Sequence, residues 1–215
     1  MKRFPVVIFD MDGVIVDSEP RHEQAFREVF HELGYGSTHG IHFPNYIGRS
    51  DKAVWVDFVN THQPEHPIEH LTELKKDRFI EILRRERPIF PGAEKLIRKL
   101  HGISRLAVAS GSLHSVINEV LNLNGLRPFF EVISSVEDVE HSKPAPDVFL
   151  HAAAKLGVEP KECCVIEDST AGVQAGRAAG MTVIAITNSF PAAKLSDAHY
   201  VVSDYEEIER LFLLG

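Results

Sequence analysis

Cysteine is scarce in this chain of 215 residues, and the two cysteines, Cys163 and Cys164, are neighbours. Adjacent residues of a strand point to opposite faces, so this pair provides neither a disulfide framework nor a zinc knuckle. Low cysteine use is also typical of proteins from a reducing compartment. The sequence therefore argues against a disulfide scaffold and a cysteine-bound zinc centre.

Long hydrophobic runs are absent as well. The first apolar run, Val6-Val7-Ile8-Phe9, ends at Asp10 and is too short for the hydrophobic part of a signal peptide. No other stretch approaches the roughly 20 apolar residues that a membrane-spanning helix needs. These absences predict a cytoplasmic protein without a membrane anchor.

The chain also lacks an excess of basic residues. It has 23 Lys and Arg against 31 Asp and Glu, which gives a net charge of −8 at pH 7. Nucleic-acid grooves and anionic membrane surfaces require clustered Lys and Arg, so we expect neither partner. The 12 histidines are scattered along the chain, and we expect most of them to be surface residues. The sequence shows no heptad pattern and no evident apolar patch, and we expect a monomer.

What the chain does contain is a series of short apolar runs alternating with helical stretches. The runs are nearly continuous rather than alternating, which is typical of parallel strands that are covered on both faces. They end at Phe9, Ala109, Ser134, Ile166, Ile186 and Val202, and the helical stretches span 92–101, 112–124, 146–156, 170–179 and 204–213. This order predicts a doubly wound parallel α/β sheet.

The region from 17 to 87 departs from that series. It has no convincing strand, and residues 19–33, 50–61 and 68–86 have the pattern of amphipathic helices. An all-helical segment directly after the first strand predicts a small α-helical cap inserted over the sheet edge. The expected division is a core of residues 1–16 and 88–215 and a cap of residues 17–87.

Chemically active side chains follow four of the apolar runs. In open α/β sheets, ligands bind outside the carboxyl ends of the strands, so residues placed there are expected to meet. Asp10 and Asp12 follow the first run, Ser110 the second, Lys143 the third, and Glu167 and Asp168 the fourth. Four carboxylates, a hydroxyl and a lysine are thereby predicted at one edge of the sheet.

Neighbouring carboxylates in such a cluster repel one another, so either their pKa values rise or a cation binds. Oxygen ligands without His or Cys suit Mg²⁺, which also binds substrate phosphates. Lys143 adds positive charge. At about 4 Å and an effective dielectric constant of about 20, each unit-charge contact contributes about 4 kcal/mol. The pattern therefore predicts a Mg²⁺ site that handles phosphoryl groups.

Asp10 and Asp12 together have what phosphoryl transfer requires, a carboxylate nucleophile beside a carboxylic acid. The first can form an acyl phosphate, and the second can protonate the leaving alkoxide and then deprotonate water.

Four segments in this order resemble the motifs of the haloacid dehalogenase-like hydrolase superfamily. They are Asp10-Met11-Asp12-Gly13-Val14, Ser110, Lys143-Pro144-Ala145-Pro146-Asp147, and Val165–Gly172 with Ala178–Met181. Asp17-Ser18-Glu19-Pro20 with His22 is similar to the start of the helical cap in the β-phosphoglucomutase-like subgroup. The resemblance implies a Rossmann-like core, an α-helical cap, Mg²⁺ and an aspartyl-phosphate intermediate.

Within that superfamily, three features favour a sugar-phosphate phosphatase. Asp12 favours phosphoryl chemistry over dehalogenation, because an alkoxide leaving group needs a proton and a halide does not. The phosphomutases usually have an Arg three residues after the cap glycine, where this chain has Asp51 after Gly48. They also tend to have Lys-Asn shortly after the motif-two serine, where this chain has Leu113-His114.

The resemblance assigns a role to each residue of the site. Asp10 is the nucleophile, Asp12 the acid and base, and Ser110 and Lys143 hold the phosphoryl group. The expected Mg²⁺ ligands are Asp10, Asp168 and the backbone carbonyl of Asp12, with Glu167 bound directly or one shell further out. The candidate substrate ligands are His22, Arg49, Gly111 and Ser112.

The sequence predicts a phosphatase for a small-molecule phosphate ester, a sugar or polyol phosphate, and leaves alternatives open. A β-phosphoglucomutase-like phosphosugar mutase would use the same nucleophile, and a non-catalytic binding module is disfavoured by the four intact motifs. His22 could be an ordinary exposed helix residue, and Arg49 could form an ion pair within the cap.

Overall fold

A computed structural model of the chain describes residues 4–46 and 51–213. In this described part, one sheet contains six parallel strands in the order β3-β2-β1-β4-β5-β6. Their bounds are β1 Val6–Phe9, β2 Arg105–Ala109, β3 Val132–Ser134, β4 Cys163–Glu167, β5 Thr182–Ile186 and β6 Tyr200–Val202. The predicted Rossmann-like α/β fold is confirmed.

Strand β1 lies in the middle of the sheet because its residues are apolar on both faces. All four are buried, and β1 pairs with β2 on one side and with β4 on the other. Val6 is in register with Arg105 and Cys163, so the three strands end at nearly the same level. The strand ends that carry Asp10, Ser110 and Asp168 are therefore neighbours.

Five helices accompany this sheet in the described residues. They are α4 Pro91–His101, α5 His114–Leu123, α6 Asp147–Leu156, α7 Thr170–Ala178 and α8 Tyr205–Leu213. Buried residues of α6 and α7 pack with β1, β4 and β5 in one apolar cluster that includes Phe149, Val165 and Val183. Helix α5 begins at His114 and not at 112, because Leu113 is still extended, with φ −69° and ψ 151°.

The chain divides into two compact units, one formed by 1–17 and 88–215 and the other by 18–87. The second unit contains the helices α1 Glu19–Glu32, α2 Asp51–His62 and α3 Ile68–Glu86. Its apolar core joins aromatic side chains from α1 and α2, among them Phe30, Trp55 and Phe58, which are fully buried. The three helices lie close to the positions that the amphipathic pattern predicted.

Lys75, on α3, is buried inside this helical unit with 2% of its side chain exposed. Its Nζ donates to Asp51 Oδ2 at 2.7 Å and lies 2.5 Å from Nδ1 of His22. The rings of Phe26 and Phe79 are 4.9 and 5.0 Å from the ammonium group. One buried cation thereby connects all three helices of the unit.

No helix among the described residues is both long enough and apolar enough to cross a membrane.

Candidate active site

Asp10 is the first residue after the central strand β1, and its side chain is nearly buried, with 8% exposed. Its backbone N–H donates to the carbonyl of Ile166 at 2.9 Å, which extends the ladder between β1 and β4 by one residue. The position of Asp10 is therefore fixed by sheet hydrogen bonding at the level where the neighbouring strands end.

Lys143, in the segment between β3 and α6, reaches this carboxylate. Its Nζ donates to Asp10 Oδ1 at 2.7 Å and to Glu167 Oε1 at 2.8 Å, and the ammonium group lies 4.7 Å from the centre of the Phe149 ring. Only 12% of the lysine side chain is exposed. Water therefore screens these ion pairs weakly, and charge-assisted hydrogen bonds of this length are strong.

Glu167 ends β4 and is completely buried, and both of its carboxylate oxygens have partners. While Oε1 accepts from Lys143, Oε2 accepts from the backbone N–H groups of Asp168 and Ser169, both at 2.7 Å, and from the Ser169 hydroxyl at 2.9 Å. A Cβ at Gly172 would lie 1.6 Å from Oε1, so only glycine leaves room for this carboxylate.

Asp168 follows directly and is 4% exposed. Its Oδ2 accepts a hydrogen bond from the hydroxyl of Ser189, which lies in the loop after β5. Gly13 passes close to the same oxygen, since a Cβ there would be 1.8 Å away, and its φ of +77° also favours glycine. The turn after β1 and the Asp168 carboxylate therefore fit together only because residue 13 has no side chain.

The buried charges of this cluster shift the pKa values of its members. Burial raises the pKa of Asp10 to about 7, with Glu167 and Asp12 adding to the rise and Lys143 opposing it. Burial raises the pKa of Asp168 to about 9, and Glu167 and Asp10 add to that rise. Burial would lower the pKa of Lys143, but Asp10 and Glu167 outweigh it and hold that pKa above its ordinary value.

Asp12 is half-buried in the turn after β1 and is held by two serine hydroxyls. Ser112 Oγ donates to Asp12 Oδ2 at 2.8 Å, and Ser110 Oγ donates to the same oxygen at 3.2 Å. Ser110 is completely buried, and its backbone N–H donates to Ser134 at 3.0 Å. The loop after β2 therefore orients the second carboxylate of the Asp10–Asp12 pair.

Three of these carboxylates lie close enough together to surround a metal ion. Among the described residues, one group of potential ligands stands out: carboxylate oxygens of Asp10, Glu167 and Asp168 lie within 4.8 Å of one another. All three residues are buried, and two have raised pKa values, so added positive charge would stabilise the cluster. An all-oxygen, all-carboxylate donor set fits a hard divalent cation.

The structure brings most of the predicted site residues together in the core unit. Contacts join Asp10, Lys143 and Glu167 in one group and Asp12, Ser110 and Ser112 in another. Gly111 is exposed, and a Cβ there would meet nothing within 4 Å.

Two of the candidate substrate ligands belong to the helical unit. The ring of His22 stacks on Phe79 with the centroids 3.9 Å apart, and Nδ1 of His22 contacts Lys75. Arg49 lies outside the described residues. Neither of these two predictions is tested further by the structure.

Sequence reasoning missed the residues that support the carboxylates. Ser169 and Ser189 donate to Glu167 and Asp168. The turn after β1 is held by Asn188, whose Nδ2 donates to the carbonyl of Gly13 at 2.7 Å, and by Tyr205, whose hydroxyl donates to the carbonyl of Val14 at 2.8 Å. Asn188 and Ser189 follow β5, so the rule that chemically active side chains follow the strand ends indicates them as well. Tyr205 opens α8, and no sequence signal indicates that it contacts the turn after β1.

The chain is a member of a known hydrolase family. The family described as haloacid dehalogenase-like hydrolase matches residues 4–180, which include the first three motifs and all of the fourth except Met181. The chain therefore belongs to the haloacid dehalogenase-like hydrolases, as the sequence predicted.

The chain matches similar proteins over most of its own length and of theirs. Fructose-1-phosphate phosphatase YqaB of Escherichia coli (strain K12) is 34% identical over 187 residues, which cover 85% of this chain and 96% of that protein. Hexitol phosphatase B of the same organism is 34% identical over 201 residues, which cover 92% of this chain and 88% of that protein. The crystal structure of β-phosphoglucomutase from Clostridium difficile superposes with a TM-score of 0.80 at 24% identity, covering 98% of this chain and 96% of that chain, and shows the shared fold.

Proposed function

We propose that this protein is a Mg²⁺-dependent phosphatase that hydrolyses a small sugar or polyol phosphate through an aspartyl phosphate on Asp10. One observation carries the proposal. The Lys143 ammonium group bridges Asp10 and Glu167, at 2.7 and 2.8 Å, inside a buried cluster of carboxylates. The family and the relatives named as phosphatases support the class of enzyme.

The reaction divides into two steps that Asp10 and Asp12 carry out together. In the first step, an oxygen of Asp10 bonds to phosphorus as the ester P–O bond breaks, and the leaving oxygen takes the proton of Asp12. In the second step, Asp12 takes a proton from water, the water oxygen bonds to phosphorus, and the bond from phosphorus to Asp10 breaks. Both carboxyl groups thereby return to their starting protonation states.

Lys143 keeps Asp10 oriented and favours its ionised form, and its charge opposes the negative charge of the transferring phosphoryl group. In our proposal, Asp10, Asp168 and the backbone carbonyl of Asp12 would hold Mg²⁺. Both oxygens of Glu167 have donors already, so we assign it to orienting Lys143 instead of direct ligation. When bound, Mg²⁺ neutralises charge on the phosphoryl oxygens.

The choice of a sugar or polyol phosphate rests on the relatives, one named for fructose 1-phosphate and one for hexitol phosphates. The mutase alternative gains no support from Asp51, because its carboxylate is paired with Lys75 at 2.7 Å. The role of the helical unit as a cap that selects the leaving group stays a prediction.

The test is phosphate release from a panel of hexose, pentose and polyol phosphates, phosphoglycolate and nucleotides, with Mg²⁺ and with EDTA. We expect release that requires Mg²⁺ and is fastest for one sugar or polyol class. Asp10→Asn should lower kcat/KM about a thousandfold or more. Exchange of the exposed Asp197 for Asn is the matched control and should change it less than about twofold.

An isomerisation assay of the same protein distinguishes a phosphatase from a mutase. β-Glucose 1-phosphate with a catalytic amount of the bisphosphate would be followed for isomerisation. Isomerisation that outpaces phosphate release would replace the proposed function by the mutase, and an Asp10→Asn variant with intact phosphatase activity would refute the nucleophile.

A further inference from the structure

The loop after β2 brings the hydroxyl of Ser112 to the Asp12 carboxylate. Ser112 Oγ and Asp12 Oδ2 are 2.8 Å apart, which is the usual length of a hydroxyl hydrogen bond, whereas the contact from Ser110 Oγ is longer at 3.2 Å. Ser112 is therefore the better-placed of the two donors to Asp12.

The backbone of Ser112 is fixed on both sides. Its N–H donates to Ser110 Oγ at 3.0 Å, and its carbonyl accepts from the hydroxyl of Ser135 at 2.8 Å. Ser135 is completely buried, so this anchor does not compete with bulk water. The direction in which the Ser112 side chain leaves the loop is thereby determined before any substrate arrives.

A second anchor holds the residue at which α5 begins. The backbone N–H of His114 donates to Glu137 Oε2 at 2.6 Å, and its ring Nε2 lies 2.9 Å from Asp138 Oδ2. Asp138 in turn accepts from the N–H of Ser135 at 2.9 Å. Residues 135–138 and the loop 110–114 thus form one connected hydrogen-bond network that ends on Asp12.

We propose that Ser112 is a positioning residue for Asp12, which fixes the carboxyl group so that it gives and takes its proton through Oδ1. Two hydroxyl donors occupy Oδ2, and an oxygen that accepts two O–H groups is the poorer place for the carboxyl proton. In this assignment the exchange of the proton falls to Oδ1, and the two hydroxyl contacts at Oδ2 set the orientation of the carboxyl plane. This inference rests on the proposed function and replaces the expectation that Ser112 binds substrate.

The test uses the leaving-group dependence of kcat/KM, which reports only the steps up to formation of the aspartyl phosphate. A sugar or polyol phosphate needs a proton on its leaving oxygen, whereas p-nitrophenyl phosphate releases a stable phenolate without one. For Ser112→Ala we expect kcat/KM to fall about tenfold to a hundredfold with the alkyl ester and less than about threefold with p-nitrophenyl phosphate.

Three variants complete the test. Ser112→Thr keeps the hydroxyl and should restore the alkyl ester activity to within about threefold of wild type, and Ser115→Ala, an exposed serine nearby, should leave both activities unchanged. In an Asp12→Asn background, Ser112→Ala should have little further effect, because residues that act through one another are not additive. The melting temperature of each variant separates these effects from loss of folding.

An equal fall for both esters would overturn the inference and make Ser112 a ligand of the phosphoryl group, and no change with either ester would make the hydrogen bond irrelevant to catalysis. The wild-type protein reports separately on the proposed function. If it releases no phosphate in the presence of Mg²⁺, the phosphatase assignment is wrong, whatever the ratio between the variants.

Discussion

At the scale of single residues, the site depends as much on two missing side chains as on the charged ones. Gly13 and Gly172 each leave room for a carboxylate, at Asp168 and Glu167. Gly172 is the clearer case, because it lies inside helix α7 and needs no unusual backbone angle. Its requirement for glycine is purely steric.

This steric requirement predicts the outcome of Gly172→Ala. In a helix, alanine is ordinarily more stable than glycine by about 1 kcal/mol, yet here the new Cβ would displace Glu167 and with it Lys143. We expect a net destabilisation of about 1–3 kcal/mol in urea unfolding, with phosphatase activity at least about tenfold lower.

Gly102→Ala is the matched control for this substitution. A Cβ at Gly102 would meet only the carbonyl of Lys99, at 3.5 Å, and its backbone is helical. It should be neutral or slightly stabilising. If Gly172→Ala were also neutral or stabilising, the Glu167 carboxylate would not be confined against residue 172.

The charged residues of the site could be predicted from sequence, and their supporting partners could not. Asp10, Lys143 and Glu167 were found because parallel strands end at a common edge, which is a rule about the backbone. That Ser189 donates to Asp168 depends on how a loop folds after its strand ends. Such a loop has no sequence periodicity, so the contact between Ser189 and Asp168 could not be predicted from the sequence.

At the scale of elements, the buried Lys75 holds the three helices of the second unit together through Asp51 and His22. Removing the buried charge of Lys75 and removing its partner Asp51 should have different effects on stability, because the second change leaves a buried charge without a counter-charge. Asp51 is the partner to remove, because its side chain is 40% exposed and can be changed without opening a cavity.

We therefore expect Asp51→Ala to destabilise the protein more than Lys75→Met. Methionine fills the space of the lysine stem among Phe26 and Phe79, and the freed Asp51 can be hydrated, so the cost should stay within about 1 kcal/mol. Asp51→Ala should cost about 1–3 kcal/mol, discounted for the exposure of the aspartate. Urea unfolding of both variants measures the order, and the reverse order would mean that the ion pair contributes nothing to stability.

The elements themselves were largely predictable, because near-continuous apolar runs and amphipathic stretches have physical causes that act locally. Helix α5 is an instructive exception. The predicted start at 112 reads Ser112 as part of the helix, whereas its side chain binds Asp12 and the helix begins at His114. Leu113 is extended and the Ser112 side chain contacts Asp12, so the helix begins two residues later than the local pattern indicates, a difference of the size that is common at helix ends.

At the scale of the whole molecule, the carboxylate cluster links stability to pH. Unfolded aspartates titrate near pH 4, whereas in the folded, metal-free protein the pKa values of Asp10 and Asp168 are raised to about 7 and about 9. Between about pH 4 and pH 9, these two carboxyl groups therefore bind more protons in the folded state than in the unfolded state. Linkage then requires that the free energy of unfolding falls as the pH rises through this window.

We expect the melting temperature in EDTA to be lower at pH 9 than at pH 6.5. Mg²⁺ can replace the bound protons, so saturating Mg²⁺ should raise the melting temperature most at pH 9. At a concentration a hundred times its Kd, Mg²⁺ should add about 2.7 kcal/mol to the free energy of unfolding. In Asp168→Asn, both the pH dependence and the gain from Mg²⁺ should shrink. A metal-free melting temperature that rises towards pH 9 would contradict the assignment of buried, mutually repelling carboxylates.

The cytoplasmic location and the monomeric state stay predictions, since they depend on the cell and on surfaces outside the site.

The two segments that connect the core to residues 18–87 run side by side. Asp17 N–H donates to the carbonyl of Pro88 at 2.8 Å, Phe90 N–H donates to that of Ile15 at 3.0 Å, and Val16 and Ile89 form an antiparallel bridge. The chain thus leaves the core and returns to it at adjacent points. Joining such points takes only a short link, and the cost of a longer one grows slowly with its length. The insert can therefore change in length and sequence while the strand ends that carry Asp10, Ser110 and Asp168 keep their register.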